Sequence, residues 1–191
     1  SSGFGGGGGL CMSTTPYDAT RIANWPPFPG RCPWPFKPCF YQYFGEPEIP
    51  GIWRVSIKGM YTLWVFYVFT LFWNLIARLA ALDCKQCDTT VTGMFLALGF
   101  FVIFGPCAYY WWFRTLYNAA RTDSTLKYGC FFCTFTIQIG VCIFFAIGPP
   151  GTGSSGIWTA SIAVQHNQEV SFLMFAAAIM WVLLSIAHII A

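Results

Sequence analysis

The amino-acid sequence predicts an all-α integral membrane protein with four transmembrane helices and an extended, proline- and aromatic-rich N-terminal segment. Of the 191 residues, 56% are hydrophobic and only 9% are charged, whereas soluble domains carry about 25% charged residues. Disorder is excluded because disordered chains have low hydrophobicity. Four apolar stretches are each long enough to cross the hydrocarbon core as a helix, which takes roughly 20 residues. The strict alternation of apolar and polar residues that is typical of transmembrane barrel strands is absent, which favours helices.

The four predicted spans cover residues 60–82, 91–113, 128–148 and 170–191, and together they make a membrane domain over 60–191. Asn74 and Gln138 are expected to hydrogen-bond across helices. Arg78 lies near the end of the first span, where we expect it to extend outward to the interface. Pro106 should kink the second span, because it leaves the carbonyl of Val102 without its helical donor.

The N-terminal part is divided into two segments. Residues 1–23 are predicted to be a flexible, glycine-rich segment. Residues 24–59 are predicted to be a cytosolic, proline- and aromatic-rich juxtamembrane segment lying along the membrane. Within it, residues 30–50 are expected to be extended on an apolar surface. No signal peptide is visible, so the first span is expected to act as the targeting signal. Cys32 and Cys39 lie near the predicted cytosolic interface and are candidates for palmitoylation.

The basic residues predict the orientation of the chain. Two groups stand out, one before the first span (Arg21, Arg31, Lys37, Arg54 and Lys58) and one between the second and third spans (Arg114, Arg121 and Lys127). The first loop has only Lys85, beside Asp83 and Asp88, and the third loop has no basic residue. The positive-inside rule therefore predicts that both termini and the second loop are cytosolic.

Two CxxC pairs are present, Cys84 with Cys87 and Cys130 with Cys133. They fall on opposite sides of the predicted membrane, so one tetrahedral zinc site cannot use both pairs. Cys84 and Cys87 are candidates for a lumenal disulfide. Cys130 and Cys133 share one helix face and are expected to pack as small apolar residues.

Catalytic chemistry is not predicted. His166 and His188 lie toward opposite sides of the membrane. No carboxylate near the core of a helix would complete an acid–base site with either histidine. Residues 148–156 read GPPGTGSSG with no following lysine, so they are a turn-rich connector and not a phosphate loop. Trp158 after it is expected to anchor at the interface. The sequence thus offers no catalytic residue, metal site or cofactor, and its scattered net charge of +3 argues against nucleic acid as a partner.

The stretch from Trp111 to Arg121 combines aromatic rings with basic side chains. Arg114 and Arg121 are seven residues apart, nearly two helical turns, and so share one face. Such a segment is expected to lie in the interface plane and to attract anionic lipid, at about 1 kcal/mol per basic residue. An equally good interpretation is that Arg114, Arg121 and Lys127 only fix the topology.

Several short motifs, taken together, match one family of membrane proteins. They are Asn24-Trp25-Pro26-Pro27, Pro38-Cys39-Phe40-Tyr41-Gln42, Ile49-Pro50, Met60-Tyr61, Leu63-Trp64, Thr70-Leu71-Phe72 with Asn74, Pro106-Cys107, Trp112-x-Arg114-x-x-Tyr117-x-x-Ala120-Arg121, Asp123-Ser124, Gln138-Ile139-Gly140 and the step from Gly156 to Trp158. From about Asn24 to its last residue, the chain resembles the secretory carrier-associated membrane proteins, the SCAMP family.

The resemblance implies a trafficking protein of exocytosis and endosomal recycling, with both termini cytosolic. The implied compartments are the trans-Golgi network, recycling endosomes, secretory vesicles and the plasma membrane. The implied lipid-binding residues, which would bind anionic lipid including phosphoinositides, are Trp112, Arg114, Tyr117, Arg121 and Lys127. Two residues depart from the family pattern: Thr115 stands where proline is common, and Asn118 stands where a basic residue is often found, so the expected charge is lower. Other implied partners are membrane or trafficking proteins and a second copy of the chain.

Two alternatives come from other functional classes. One is a structural accessory subunit of a larger membrane assembly, since Ala77, Ala81 and residues 176–178 would allow close helix contacts with a partner. The other is a small channel or transporter. Proton coupling is disfavoured because none of the predicted spans contains an acidic residue.

Overall fold

The computed structural model describes residues 51–83, 91–165 and 168–191, and it confirms the all-α, four-span prediction. These residues form five α-helices: α1 (Gly51–Ala80), α2 (Val91–Thr122), α3 (Thr125–Ile147), α4 (Ile157–Val164) and α5 (Gln168–Ile190). A single 3-10 turn at Ala81–Asp83 follows α1. The described ranges contain no β-strand. Judged by length and composition, α1, α2, α3 and α5 can each cross a membrane.

Two helices are longer than the apolar stretches that predicted them. Helix α1 begins at Gly51 and not at residue 60, so residues 51–59 of the predicted juxtamembrane segment are helical and belong to the first helix. Helix α2 continues to Thr122 and does not end at residue 113. Hydropathy locates the part of a helix that suits lipid, whereas a helix can continue into water through polar residues. Residues 1–23 and 24–50 lie outside the described part of the chain.

The helices form a bundle in which α5 occupies the centre, with extensive contacts to α1, α3 and α4. One end, where α1 begins and α2 and α3 meet, is called the hairpin end; Trp53, Leu116, Tyr128 and Ala191 lie together there. The opposite end, where residues 148–156 connect α3 to α4, is called the loop end.

Different side chains fill the two halves of the bundle. Toward the hairpin end the core is aromatic, and the ring centroids of Phe131 and Phe135 lie 5.2 Å apart. Toward the loop end a second cluster is built mainly of small residues, including Ala77, Ala81 and Ala177, all fully buried. Small side chains let helix backbones approach closely. These alanines therefore pack within the chain, and the prediction that they face a partner protein is wrong.

Helix α2 changes its winding on both sides of Pro106. Two π-helical turns, Phe100–Phe104 and Tyr109–Phe113, flank the short α-helical piece Gly105–Ala108. Proline lacks a backbone N–H and crowds the preceding turn, and a wider turn is one way a helix absorbs that disruption. Helix α1 also contacts this part of α2, because Trp64 Nε1 donates a hydrogen bond to the carbonyl of Gly105 at 3.0 Å. The irregularity predicted at Pro106 is thus spread over two turns.

Helix α4 was missed by the sequence analysis, which predicted only a connector there. The helix is eight residues long, too short to stand out as a membrane span. It forms because its buried Ala160 and Ala163 pack in the small-residue cluster. The preceding loop turns sharply at Gly148, whose φ of 62° suits glycine. A side chain at Gly148 would also collide with the backbone of Gly156.

Candidate functional site

The hairpin end brings together the basic residues predicted to bind lipid. Only Asp123 and Ser124 separate α2 from α3, because Asp123 adopts a left-handed φ of 45° that ends α2 and Ser124 is extended. Residues 114–122 directly continue α2. The expectation of a separate segment lying in the interface plane is therefore wrong, and the predicted second loop is mostly helix.

Three basic side chains lie on the two helices that this turn joins, and each is half-buried. Arg114 Cζ lies 5.6 Å from the centre of the Tyr110 ring, a cation–π arrangement. Arg121 lies in the last turn of α2, where the helix dipole favours a positive charge. Lys127 Nζ donates to Thr122 Oγ1 at 2.9 Å and so links α3 to α2 across the turn.

Trp112 and Tyr117 do not belong to this exposed surface. Their exposed fractions are 1% and 2%. The Trp112 ring lies 5.4 Å from that of Phe135 and 5.8 Å from that of His188. Both side chains face the other helices, so the prediction that they contact lipid headgroups needs correction. The aromatic residues exposed near Arg114 are Tyr110 and Trp111.

A buried polar site near the loop end was not anticipated. Asn74 Nδ2 donates to the carbonyl of Gly153 at 3.0 Å, and Asn74 Oδ1 accepts from the backbone N–H of Ser155 at 2.7 Å. Arg78 Nη2 donates to the carbonyl of Ser154. The two side chains, one helical turn apart, thus hold three consecutive loop residues; we call this arrangement the loop clamp.

The loop clamp corrects the expectation for Arg78 and refines that for Asn74. Arg78 is fully buried, so it does not extend outward to the interface. Asn74 bonds to the connector between α3 and α4 and not to another membrane-spanning helix. A signal was present in the sequence: two polar residues at i and i+4 in an otherwise apolar helix, together with a glycine-rich connector whose backbone can approach closely.

Gln138 and His188 both serve the interior of the bundle. Gln138 Nε2 donates to Cys142 Sγ at 3.6 Å within α3. The Gln138 side chain also hydrogen-bonds Tyr67 of α1, which agrees with the predicted cross-helix bond. His188 Nδ1 donates to the carbonyl of Leu184 at 2.8 Å, and its ring stacks on Phe135. His166 lies outside the described residues.

The cysteine predictions have mixed outcomes. Cys130 and Cys133 are exposed on the outer surface of α3, so their predicted role in internal packing is wrong. Cys32, Cys39, Cys84 and Cys87 lie outside the described residues, and their modification and pairing stay predictions. Among residues 51–83, 91–165 and 168–191, no group of three His, Cys, Asp or Glu side chains is placed to hold a metal ion.

The bundle defines the class of the protein, a multi-pass α-helical membrane protein with charged side chains gathered at one end. Its sequence matches the SCAMP family over residues 22–191, and the chain belongs to that family.

Individual relatives agree with the family match. The chain is 39% identical to secretory carrier-associated membrane protein 2 of Homo sapiens over 160 residues, 83% of this chain and 47% of the relative. It is 42% identical to secretory carrier-associated membrane protein 5A of Xenopus laevis over 140 residues, 73% of this chain and 57% of the relative. The chain thus spans about half of the length of these two relatives. No solved structure matches the chain.

Proposed function

We propose that this protein is a trafficking component of exocytic and endosomal-recycling membranes, and that its hairpin end is cytosolic and binds anionic lipid. The lipid-binding residues would be Arg114, Arg121 and Lys127. The proposed compartments are the trans-Golgi network, recycling endosomes, secretory vesicles and the plasma membrane. The "secretory carrier-associated" name of the relatives supports this assignment.

The observation that carries the proposal is the two-residue turn between α2 and α3. It joins two helices that together carry three cationic side chains, at the bundle end where α1 also begins. Helix α1 contributes Arg54 and Lys58 near that end. Positive residues accumulate on the cytosolic side of membrane proteins, which supports a cytosolic hairpin end.

The expected attraction follows from the number of charges. Each basic residue close to an anionic membrane surface contributes about 1 kcal/mol. Tyr110 and Trp111 are 37% and 62% exposed, and such rings prefer the level of the lipid headgroups. Thr115 and Asn118 lie on the same helix without charge, so we expect a general preference for anionic lipid more than a tight phosphoinositide site.

Lipid selectivity in reconstituted membranes tests this proposal. The full chain in phosphatidylcholine vesicles would receive spin-labelled phosphatidylserine or spin-labelled phosphatidylcholine, and the motionally restricted fraction of each label would be compared. We expect the wild-type chain to prefer phosphatidylserine. Replacing Arg114 and Arg121 with alanine should lower that preference by up to about thirtyfold, because two charges of about 1 kcal/mol each are removed.

Asn118→Ala provides the matched control, since Asn118 is a half-buried, uncharged residue on the same part of α2. Its lipid preference should equal that of the wild type. If the Arg114→Ala, Arg121→Ala double variant keeps the full preference, the basic residues serve topology alone and the lipid-binding proposal is wrong.

A second candidate function is that of a subunit in a larger membrane assembly or homo-oligomer. Small residues, Gly129, Cys133 and Gly140, are exposed at helical spacing along the outer face of α3. Small side chains on lipid-facing helices allow close association with another helix. Gly140→Leu should dissociate such an assembly in mild detergent, as measured by light scattering of the purified complex.

A further inference from the structure

The hairpin end contains an apolar groove that the proposed lipid surface does not use. The groove has a volume of about 350 Å³ and lies between α1, α2 and α3, which is within the size range of ligand-binding clefts. Ile57, Leu116 and Phe131 line it and are buried, whereas Trp53 and Phe132 line it and are 40% and 63% exposed. We call this feature the hairpin groove.

Aromatic rings and one hydroxyl give the hairpin groove a specific character. The rings of Trp53 and Tyr128 lie 5.6 Å apart and join α1 to α3. The Tyr128 hydroxyl is enclosed and has no hydrogen-bond partner among the described residues. An aromatic cleft with one available O–H suits a peptide in an extended conformation, since such a peptide offers both apolar rings and free backbone carbonyls.

The sequence supplies a peptide of that chemistry directly next to the groove. Residues 33–50 contain Pro33-Trp34-Pro35-Phe36 and Pro38-Cys39-Phe40-Tyr41, and they end one residue before α1 begins at Gly51. Two groove residues, Trp53 and Ile57, lie in the first two turns of that helix. Residues 33–50 are therefore covalently attached at the edge of the groove.

Attachment and composition both favour this occupant over an independent partner. A short tether holds a binding segment at an effective concentration in the millimolar range. Proline restricts the unbound chain, so less conformational entropy is lost when it binds. An extended chain covers about 3 Å per residue, so a few residues suffice to return along the groove from Gly51.

We propose that residues 33–50 bind in the hairpin groove of their own chain, with proline and aromatic side chains covering Trp53, Tyr128 and Phe132. The segment thereby lies on the protein at the hairpin end, and not on the membrane alone. This inference does not depend on lipid binding by the basic residues.

Site-specific photo-crosslinking in the full chain tests the inference. The photoreactive residue p-benzoylphenylalanine would replace Phe132 at the rim of the groove, with the protein in phosphatidylcholine vesicles. Substitution of Phe144 serves as the matched control, because it is 46% exposed on the same helix near the other end. After irradiation, mass spectrometry would identify the peptides joined to each position.

We expect the residue-132 probe to crosslink to residues 33–50 of the same chain, and the residue-144 probe to give no such product. A mixture of isotopically labelled and unlabelled chains distinguishes crosslinks within one chain from crosslinks between copies. Crosslinks from position 132 only to lipid, or only to a second copy, would overturn the inference.

A second variant tests the same inference by changing the proposed bound segment and leaving the residues of the groove unchanged. Replacing Trp34, Phe36 and Phe40 with alanine removes apolar rings and changes no residue of helices α1 to α5. We expect the intrachain crosslink from position 132 to fall about tenfold, since each buried ring contributes substantially to binding. Thr14→Ala with Thr15→Ala is the control and should leave the yield unchanged; an equal yield from the triple variant would contradict the inference.

Discussion

Arg114 and Arg121 at the hairpin end and Arg78 near the loop end are the same residue type in opposite surroundings. The first two are half-buried toward the end of α2, and Arg114 lies over an exposed aromatic ring. Arg78 is fully buried and donates to a backbone carbonyl. An arginine in a membrane protein can therefore have two roles. At a surface its charge faces water and headgroups, whereas inside the protein it connects two segments by donating to backbone carbonyls. The following predictions separate these two roles.

Trp112 and its neighbour Trp111 test which aromatic residues at the hairpin end belong to the core. Trp112→Ala should destabilise the bundle by about 3–5 kcal/mol, because it opens a large cavity between α2, α3 and α5. Trp111→Ala, at a 62% exposed position, should change stability by less than about 0.5 kcal/mol. Denaturation in detergent followed by circular dichroism measures both, and equal effects would refute the assigned orientation of α2.

Arg78 tests the loop clamp. Arg78→Ala should destabilise the bundle by about 2–3 kcal/mol, because a charge-assisted hydrogen bond is lost inside the protein. Leu79→Ala is the control, since Leu79 is the next residue and is 47% exposed. The same denaturation experiment applies. A variant as stable as the wild type would show that Arg78 does not hold the connector.

Gly148 and Gly151 separate a steric effect from a backbone effect in the connector. Both have positive φ, 62° and 78°. A side chain at Gly148 meets the backbone of Gly156, whereas one at Gly151 meets nothing within 4 Å. Gly151→Ala should cost about 1 kcal/mol from backbone strain, and Gly148→Ala about 2 kcal/mol or more, because the contact adds to that strain. Protease cleavage within residues 148–156 should increase more for the Gly148 variant.

Salt gives the smallest expected effect and distinguishes the two ends most directly. Raising the ionic strength from about 0.01 M to about 1 M shortens the Debye length from about 30 Å to about 3 Å. The phosphatidylserine preference assigned to the hairpin end should fall severalfold over this range, because surface charges are screened. The stability supplied by Arg78 should change little, because buried interactions are screened weakly. A preference that salt does not alter would exclude an electrostatic origin.

Much of the fold was predictable because lipid imposes a simple requirement. A span needs about 20 apolar residues, and four such stretches exist. Helix α4 and the full lengths of α1 and α2 were not predictable from hydropathy. They depend on tertiary packing of residues such as Ala160 and Ala163 and on the termination of α2 at Asp123, which the apolar pattern does not encode.

Of the candidate site, only the basic residues could be predicted from the sequence. Arg114, Arg121 and Lys127 were identified from charge and spacing, yet Trp112 and Tyr117 were assigned to the wrong side of their helix. Aromatic residues populate both membrane interfaces and cores, so composition does not decide between these positions. The partner of Arg78 was also hidden, because the accepting carbonyl of Ser154 is 76 residues away in the sequence.

The two-residue turn at Asp123 and Ser124 has a mechanical consequence. A long connection would let its charges move independently of the bundle, whereas here Arg114 and Arg121 are fixed to the axis of α2 and Lys127 to that of α3. A change in bilayer thickness can tilt or rotate these helices. Because the charges are attached to the helices, they then move together with them. The distance between these charges and the lipid headgroups is thereby coupled to the shape and thickness of the surrounding membrane.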